Sequence, residues 1–145
     1  MRIAISGTDR KSVIEKVEQK NNLTSVKPFD KYKDTLPLLD YAAVSYRYYS
    51  DKNVLFDGCV LDYVVECSDG YSDVQEQIVL SSIANFDKIF VVNTNLSDQS
   101  LSVYKDYMSF YPDKIVFIND ENDDILNTPQ KYITASLQNE KIILK

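Results

Sequence analysis

The chain has 145 residues, 44% apolar and 26% charged, and its 16 Lys+Arg against 22 Asp+Glu leave a formal net charge of −6. That length suits one domain, over residues 1–145, whose core needs no disulfide or metal staple. The acidic balance opposes nucleic-acid binding, and no apolar run approaches the roughly 20 residues that span a bilayer. A secretory leader is not visible at Arg2-Ile3-Ala4-Ile5 either, so the expectation is a cytoplasmic protein with neither nucleic acid nor membrane as partner. The absence of His removes His-based zinc sites, Ser-His triads and His general bases together. Cys59 and Cys67 are too few and too far apart for a zinc ribbon or a C-x-x-C redox pair, and read as reduced structural thiols.

Short β-rich runs alternate with helix-length segments along the whole chain, a pattern that predicts an α/β domain with parallel strands joined by crossover helices. The first strand is Arg2–Ser6, followed after a tight turn by a helix from about Arg10 to Lys20, with Val13, Ile14 and Val17 inward and Asp9 as its N-cap. A second strand is expected at Leu23–Val26 and a helix from about Leu38 to Ser50. The third strand is Asn53–Asp57. Ser72-Asp73-Val74-Gln75 has the form of a capping box opening a helix with Val74, Ile78, Val79 and Ile83 as its apolar stripe. Strands at Lys88–Asn93 and Lys114–Asn119 enclose a helix carrying Leu101, Tyr104, Met108 and Tyr111. Thr128-Pro129 starts a last helix through Tyr132, Ile133 and Leu137, and Lys141–Leu144 offers a final strand. Three strands are entered through Asp-Lys steps, at Asp51-Lys52, Asp87-Lys88 and Asp113-Lys114, which reads as recurring helix-to-strand turn chemistry.

Ligands of open α/β sheets bind beyond the carboxyl ends of the strands, and two of the three glycines, Gly7 and Gly58, lie there. Ile5-Ser6-Gly7-Thr8-Asp9-Arg10-Lys11-Ser12 runs from a strand through a Gly-led turn into Lys-Ser at a helix start. A phosphate loop has the spacing G-x-x-x-x-G-K-[ST], because several backbone N–H groups must wrap the phosphates while Lys and hydroxyl reach phosphate and magnesium. Here three residues separate Gly7 from Lys11, and the second glycine is missing. Gly7, Thr8, Lys11 and Ser12 are the nucleotide-contacting candidates. Against them stands an ordinary strand-to-helix turn, in which an Asp9 cap supplies the anion that a phosphate would otherwise be. Asp57, at the end of a buried strand, is either a magnesium contact or base, or the cap of the helix that follows.

These residues resemble the P-loop kinase-like NTPases. The resemblance is carried by Arg2-Ile3-Ala4-Ile5-Ser6-Gly7-Thr8, by Lys11-Ser12, and by Phe56-Asp57-Gly58-Cys59-Val60-Leu61-Asp62-Tyr63. It is nearest in pattern to nucleoside and nucleotide kinases and to the small AAA-type ATP-binding proteins common in phages. It implies a three-layer αβα sandwich with a mostly parallel sheet of five or six strands in the order 2-3-1-4-5. The departures fall on catalytic positions. Gly58 stands where the family has an arginine, the Walker A loop is shortened, and no arginine-bearing lid is found, Arg2, Arg10 and Arg47 being the only arginines. Phosphoryl transfer rests on positive charge around the transferred group, so the fold is expected to persist with the activity lost.

Two further segments complete the reading. Asp120-Glu121-Asn122-Asp123-Asp124 starts like a calcium loop but has Ile125 and Lys131 where Gly and Glu are required, so it reads as a solvated acidic loop without metal. Tyr41, Tyr46, Tyr48 and Tyr49 around Arg47 form an aromatic group of the kind that anchors interfaces, or else packs half-buried. The expectation is a degenerate, non-catalytic P-loop kinase-like protein acting through a protein partner or self-association and needing no cofactor. The alternative is a nucleotide-sensing protein or an active nucleoside or nucleotide kinase using ATP and magnesium, with Asp57 catalytic. The Asn-, Lys-, Asp- and Tyr-rich composition fits an AT-rich genome and a phage or mobile-element origin.

Overall fold

A computed structural model of the chain describes residues 2–22, 24–27, 54–66, 72–119, 129 and 131–133. In chain order these form β1 (Arg2–Ser6), α1 (Arg10–Asn21), β2 (Val54–Asp57), α2 (Val60–Glu66), α3 (Asp73–Ala84), β3 (Lys88–Val92), α4 (Asp98–Phe110) and β4 (Ile115–Ile118). The four strands make one parallel sheet in the order β2-β1-β3-β4. Of the expected second strand, the described residues 24–26 form a single parallel bridge. Val26 sits beside Phe56, donating its N–H to the Leu55 carbonyl at 2.8 Å and accepting from the Asp57 N–H at 2.8 Å. With that bridge counted as a position, the order is the expected one, but the sheet has four strands among the described residues where five or six were expected. The Leu38–Ser50 helix, the Lys141–Leu144 strand, Cys67, the acidic loop at Asp120–Asp124 and the group Tyr41, Tyr46, Arg47, Tyr48 and Tyr49 lie outside the described residues. Of the last helix only 129 and 131–133 are described, and these are helical.

Each strand is apolar on both faces, and the period of two divides its residues between two cores. Ala4, Phe56, Ile89, Val91 and Ile115 face α2, α3 and α4, meeting Val60, Leu61, Val79, Ile83, Tyr104 and Tyr107. Ile3, Ile5, Leu55, Phe90, Val92 and Ile118 face the other way, onto Val13, Ile14 and Val17 of α1 and onto Ile133. Helices on both faces of a parallel sheet complete the three layers. Ser72 and Gln75 form the predicted capping box of α3, whereas Val74, expected in its apolar stripe, is 70% exposed because it lies in the first turn, ahead of the part that meets the sheet.

Two of the Asp-Lys steps have separate jobs. Asp87 accepts the Arg2 N–H at 2.7 Å and fixes the start of β1, while Lys114 Nζ donates to the Phe86 carbonyl at 2.7 Å, just past the end of α3.

Candidate functional site

The chain leaves β1 for α1 on one face, but leaves both neighbours, β2 and β3, for helices on the other. The carboxyl end of β1 is therefore the point where connections diverge, the place where such sheets bind ligands. Gly7 begins the turn with φ +104°, and a Cβ there would stand 2.5 Å from the Val92 carbonyl oxygen. Only glycine fits the conformation and the close approach to β3.

The β2 flank of the turn is an ionic cluster. Arg10, the first residue of α1, donates from Nε to Asp57 Oδ1 at 2.8 Å and from Nη1 to the Gly7 carbonyl at 3.0 Å, and Nη1 lies 3.6 Å from Asp62 Oδ1. Asp62 is buried in α2. Its Oδ1 accepts the Gly7 N–H at 2.9 Å and the Tyr104 hydroxyl at 2.6 Å, and its Oδ2 accepts the Cys59 N–H at 2.8 Å. Gly58, with φ +83°, leaves room for this arrangement, since a Cβ there would lie 3.1 Å from both Arg10 Nη2 and Asp62 Oδ2. Ser6 Oγ and Cys59 Sγ are 3.1 Å apart at the base of the cluster. Burial, with the Asp62 charge alongside, pushes the Cys59 thiol up to about 12 and also raises the Tyr104 hydroxyl well above its ordinary range.

On the β3 flank Asp9 behaves differently from its expected role. It occupies the N-cap position of α1, but its side chain makes no capping hydrogen bond. Its backbone is not in the extended conformation that turns a cap carboxylate onto the helix N–H groups. The carboxylate instead accepts from Asn95 Nδ2 and from Thr94 Oγ1 at 3.2 Å, bridging to the segment after β3. The internal anion beside the Gly7 turn is Asp62, not Asp9.

A cleft of about 410 Å³ opens outside the turn, lined by Thr8, Arg10, Lys11, Ile14, Glu15, Glu18, Lys27 and Asp57. It brings Thr8, Lys11 and Asp57 to one place. Gly7, which is buried, and Ser12, which is exposed, are not part of its lining. The Asp57 carboxylate takes the Arg10 guanidinium at 2.8 Å, so a cation already holds the group that a magnesium ion or a substrate hydroxyl would need. The Gly7 N–H, which a phosphate would need, is given to Asp62. The residues present therefore do not fit ATP and magnesium in the arrangement of a phosphate loop.

Arg10 and Asp62 are the two site residues to which the sequence assigned no functional role, although Asp62 lies within the Phe56–Tyr63 segment that carries the family resemblance. Arg10 is masked by its neighbours Lys11 and Ser12, and nothing local links it to Asp57, 47 positions away. Asp62 had one local signal, a carboxylate at the third position of a short helix, where it can take the N–H of Cys59 just ahead of the helix.

No protein-family model and no curated protein matches the chain. Among solved structures, it is similar to the YorR protein of Bacillus subtilis, crystallised in complex with phosphorylated GDP, with a TM-score of 0.65 and 15% sequence identity over 97% of this chain and 98% of that one. The likeness is one of fold, an α/β architecture.

Proposed function

We propose that this chain is a degenerate P-loop kinase-like protein that acts by binding rather than by phosphoryl transfer, through a protein partner or a second copy of itself. The observation that carries this reading is the internal closure of the β1–α1 turn. The Gly7 N–H is committed to Asp62, and Arg10 to Asp57 and to the Gly7 carbonyl. The likeness to a nucleotide-bound protein supports the ancestry of the fold, and the chain's own carboxylates stand in the way of its chemistry. Tyr41, Tyr46, Arg47, Tyr48 and Tyr49 are the residues proposed for the contact surface, on their sequence pattern alone.

A second reading is nucleotide binding, as a sensor or with turnover. It is favoured by the cleft that gathers Thr8, Lys11 and Asp57, and by the fold shared with YorR, which holds a phosphorylated GDP in its crystal structure. Thermal unfolding with millimolar ATP, GTP, dNTPs or dNMPs and magnesium separates the two. A ligand at 100 times its dissociation constant adds about 2.7 kcal/mol, a shift of several degrees. The expected result is no shift and no product. A shift abolished by Lys11→Ala would transfer the conclusion to the second reading.

A further inference from the structure

β4 is the last strand of the sheet among the described residues, and β3 satisfies only one of its edges. Ile89 and Asn93 donate their N–H groups to the Lys114 carbonyl at 2.7 Å and the Ile118 carbonyl at 2.8 Å, so the even-numbered positions of β4 turn their backbone toward β3. Ile115 and Phe117 turn theirs outward. The Ile115 N–H goes to the Tyr111 carbonyl at 3.2 Å, whereas no described residue takes the Ile115 carbonyl or either backbone group of Phe117. Sheet edges are ordinarily blunted by a charge, a proline or a cover. Ile115-Val116-Phe117-Ile118 has neither charge nor proline, and Lys114 at its start is turned back onto the Phe86 carbonyl. Val116 and Phe117, on opposite faces of the sheet, are only half-buried. Apolar surface on both faces along one line of backbone donors and acceptors is the place of a further strand.

Lys141-Ile142-Ile143-Leu144 has the composition of such a strand, and it follows the helical residues Tyr132 and Ile133. Its direction follows from handedness. The chain passes from β1 to β2 through α1 on the Ile5 face, and from β2 to β3 to β4, the other way along the sheet, through helices on the Ala4 face. All these crossovers share one hand, the right-handed one that parallel strands adopt. Ile133 packs on the Ile5 face, so a parallel strand beyond β4 reached from there would reverse the hand, whereas an antiparallel one is no crossover. With the helix expected to reach Leu137, residues 138–141 span about 13 Å, enough to return from a helix layer to the sheet.

We propose that Ile142–Leu144 covers the outer edge of β4 as an antiparallel strand, with Ile143 exchanging both backbone hydrogen bonds with Phe117. Ile143 then lies beside Phe117 on one face, and Ile142 and Leu144 lie beside Ile118 and Val116 on the other. An antiparallel edge strand on an otherwise parallel sheet is an ordinary feature of α/β proteins. The segment guards β4 against edge-to-edge pairing with a second copy, whichever reading of the β1 site holds.

The test is amide hydrogen exchange, read residue by residue by NMR in the full chain, with the Val116 N–H, which points to β3, as reference. In the wild type Phe117 exchanges within about tenfold of Val116. In Ile143→Pro, which removes the donor and the pairing, Val116 keeps its protection and Phe117 exchanges at least about tenfold faster than in the wild type. Short Hα–Hα contacts between Val116 and Leu144 and between Ile118 and Ile142, which antiparallel pairs make and parallel pairs do not, are expected in the wild type and decide the matter should Ile143→Pro fail to fold. Absence of those contacts overturns the proposal. So does an unprotected Phe117 in the wild type, protection that survives Ile143→Pro, or protection that rises with protein concentration, as a second copy on the edge would give.

Discussion

The β1–α1 turn is tied down on both flanks, but with different materials. Toward β2 the ties are a buried carboxylate, a guanidinium and a phenol from three segments, at the edge of the core that includes Cys59, Leu61 and Tyr104. Toward β3 they are the exposed side chains of Asp9 and Asn95, with Thr94 beside them, and a nearby Asn93–Asn119 contact at 3.1 Å. Water competes for the groups on the second flank; on the first it reaches the Arg10 guanidinium, while Asp62 and Tyr104 are buried. The same kind of donor–acceptor pair therefore shapes the turn on one side and merely decorates it on the other.

Breaking the β2 flank has the largest expected effect. Asp62→Ala leaves Arg10 short of one partner and strands the Gly7 and Cys59 N–H groups in a buried space, a loss of about 3–5 kcal/mol by denaturant titration. A loss under about 1 kcal/mol would mean that water reaches these donors, and the contrast between the flanks would collapse.

The next effect is in alkaline solution. The Cys59 thiol is raised by burial and by Asp62 from its ordinary 9.0 to about 12, so the fold prefers the neutral form. That stability is complete below pH 9.0 and drains away as pH rises toward 12, at up to about 1.4 kcal/mol per pH unit for this one group. Tyr104, raised by the same burial and the same carboxylate, steepens the upper part of the limb. Measuring stability against pH in Cys59→Ala should give a shallower limb between 9 and 12 than in the wild type, whatever the variant's stability at pH 7. Identical slopes would show that the thiol is not held neutral by the fold.

The smallest effect belongs to the β3 flank. Asp9→Ala removes the anchor of the Thr94 and Asn95 contacts, yet stability should change by no more than about 0.5 kcal/mol, since all three can return to water. A cost approaching that of Asp62→Ala would place the stronger tie on the wrong side of the turn.

The same division between local and distant contacts explains what could be read in the sequence. Apolar runs such as Ile89-Phe90-Val91-Val92 declare a strand covered on both faces, and Ser72 with Gln75 declares a helix start, because the relevant partners lie within a few residues. Gly7 and Gly58 were conspicuous by position. What each glycine makes room for was not legible, since Val92 lies 85 positions from Gly7 and the Arg10 beside Gly58 lies 48 positions back. Asp9 looked like a cap because Asp before a helix usually is one, but its carboxylate found Asn95 across the sheet end instead. Leu23–Val26 promised a strand on composition, and among its described residues only Val26 meets β2.

The sequence by itself therefore determined the α/β class, the principal elements and the place on the sheet where a site would lie, because periodicity and turn chemistry act over a few residues. The tertiary structure alone decided that Arg10 meets Asp57 and that Asp62 fills the space beside Gly7. Those contacts form only when the parallel sheet brings β1 and β2 side by side and seats α4 beneath them, and no spacing along the chain encodes the distances on which hydrogen bonds depend.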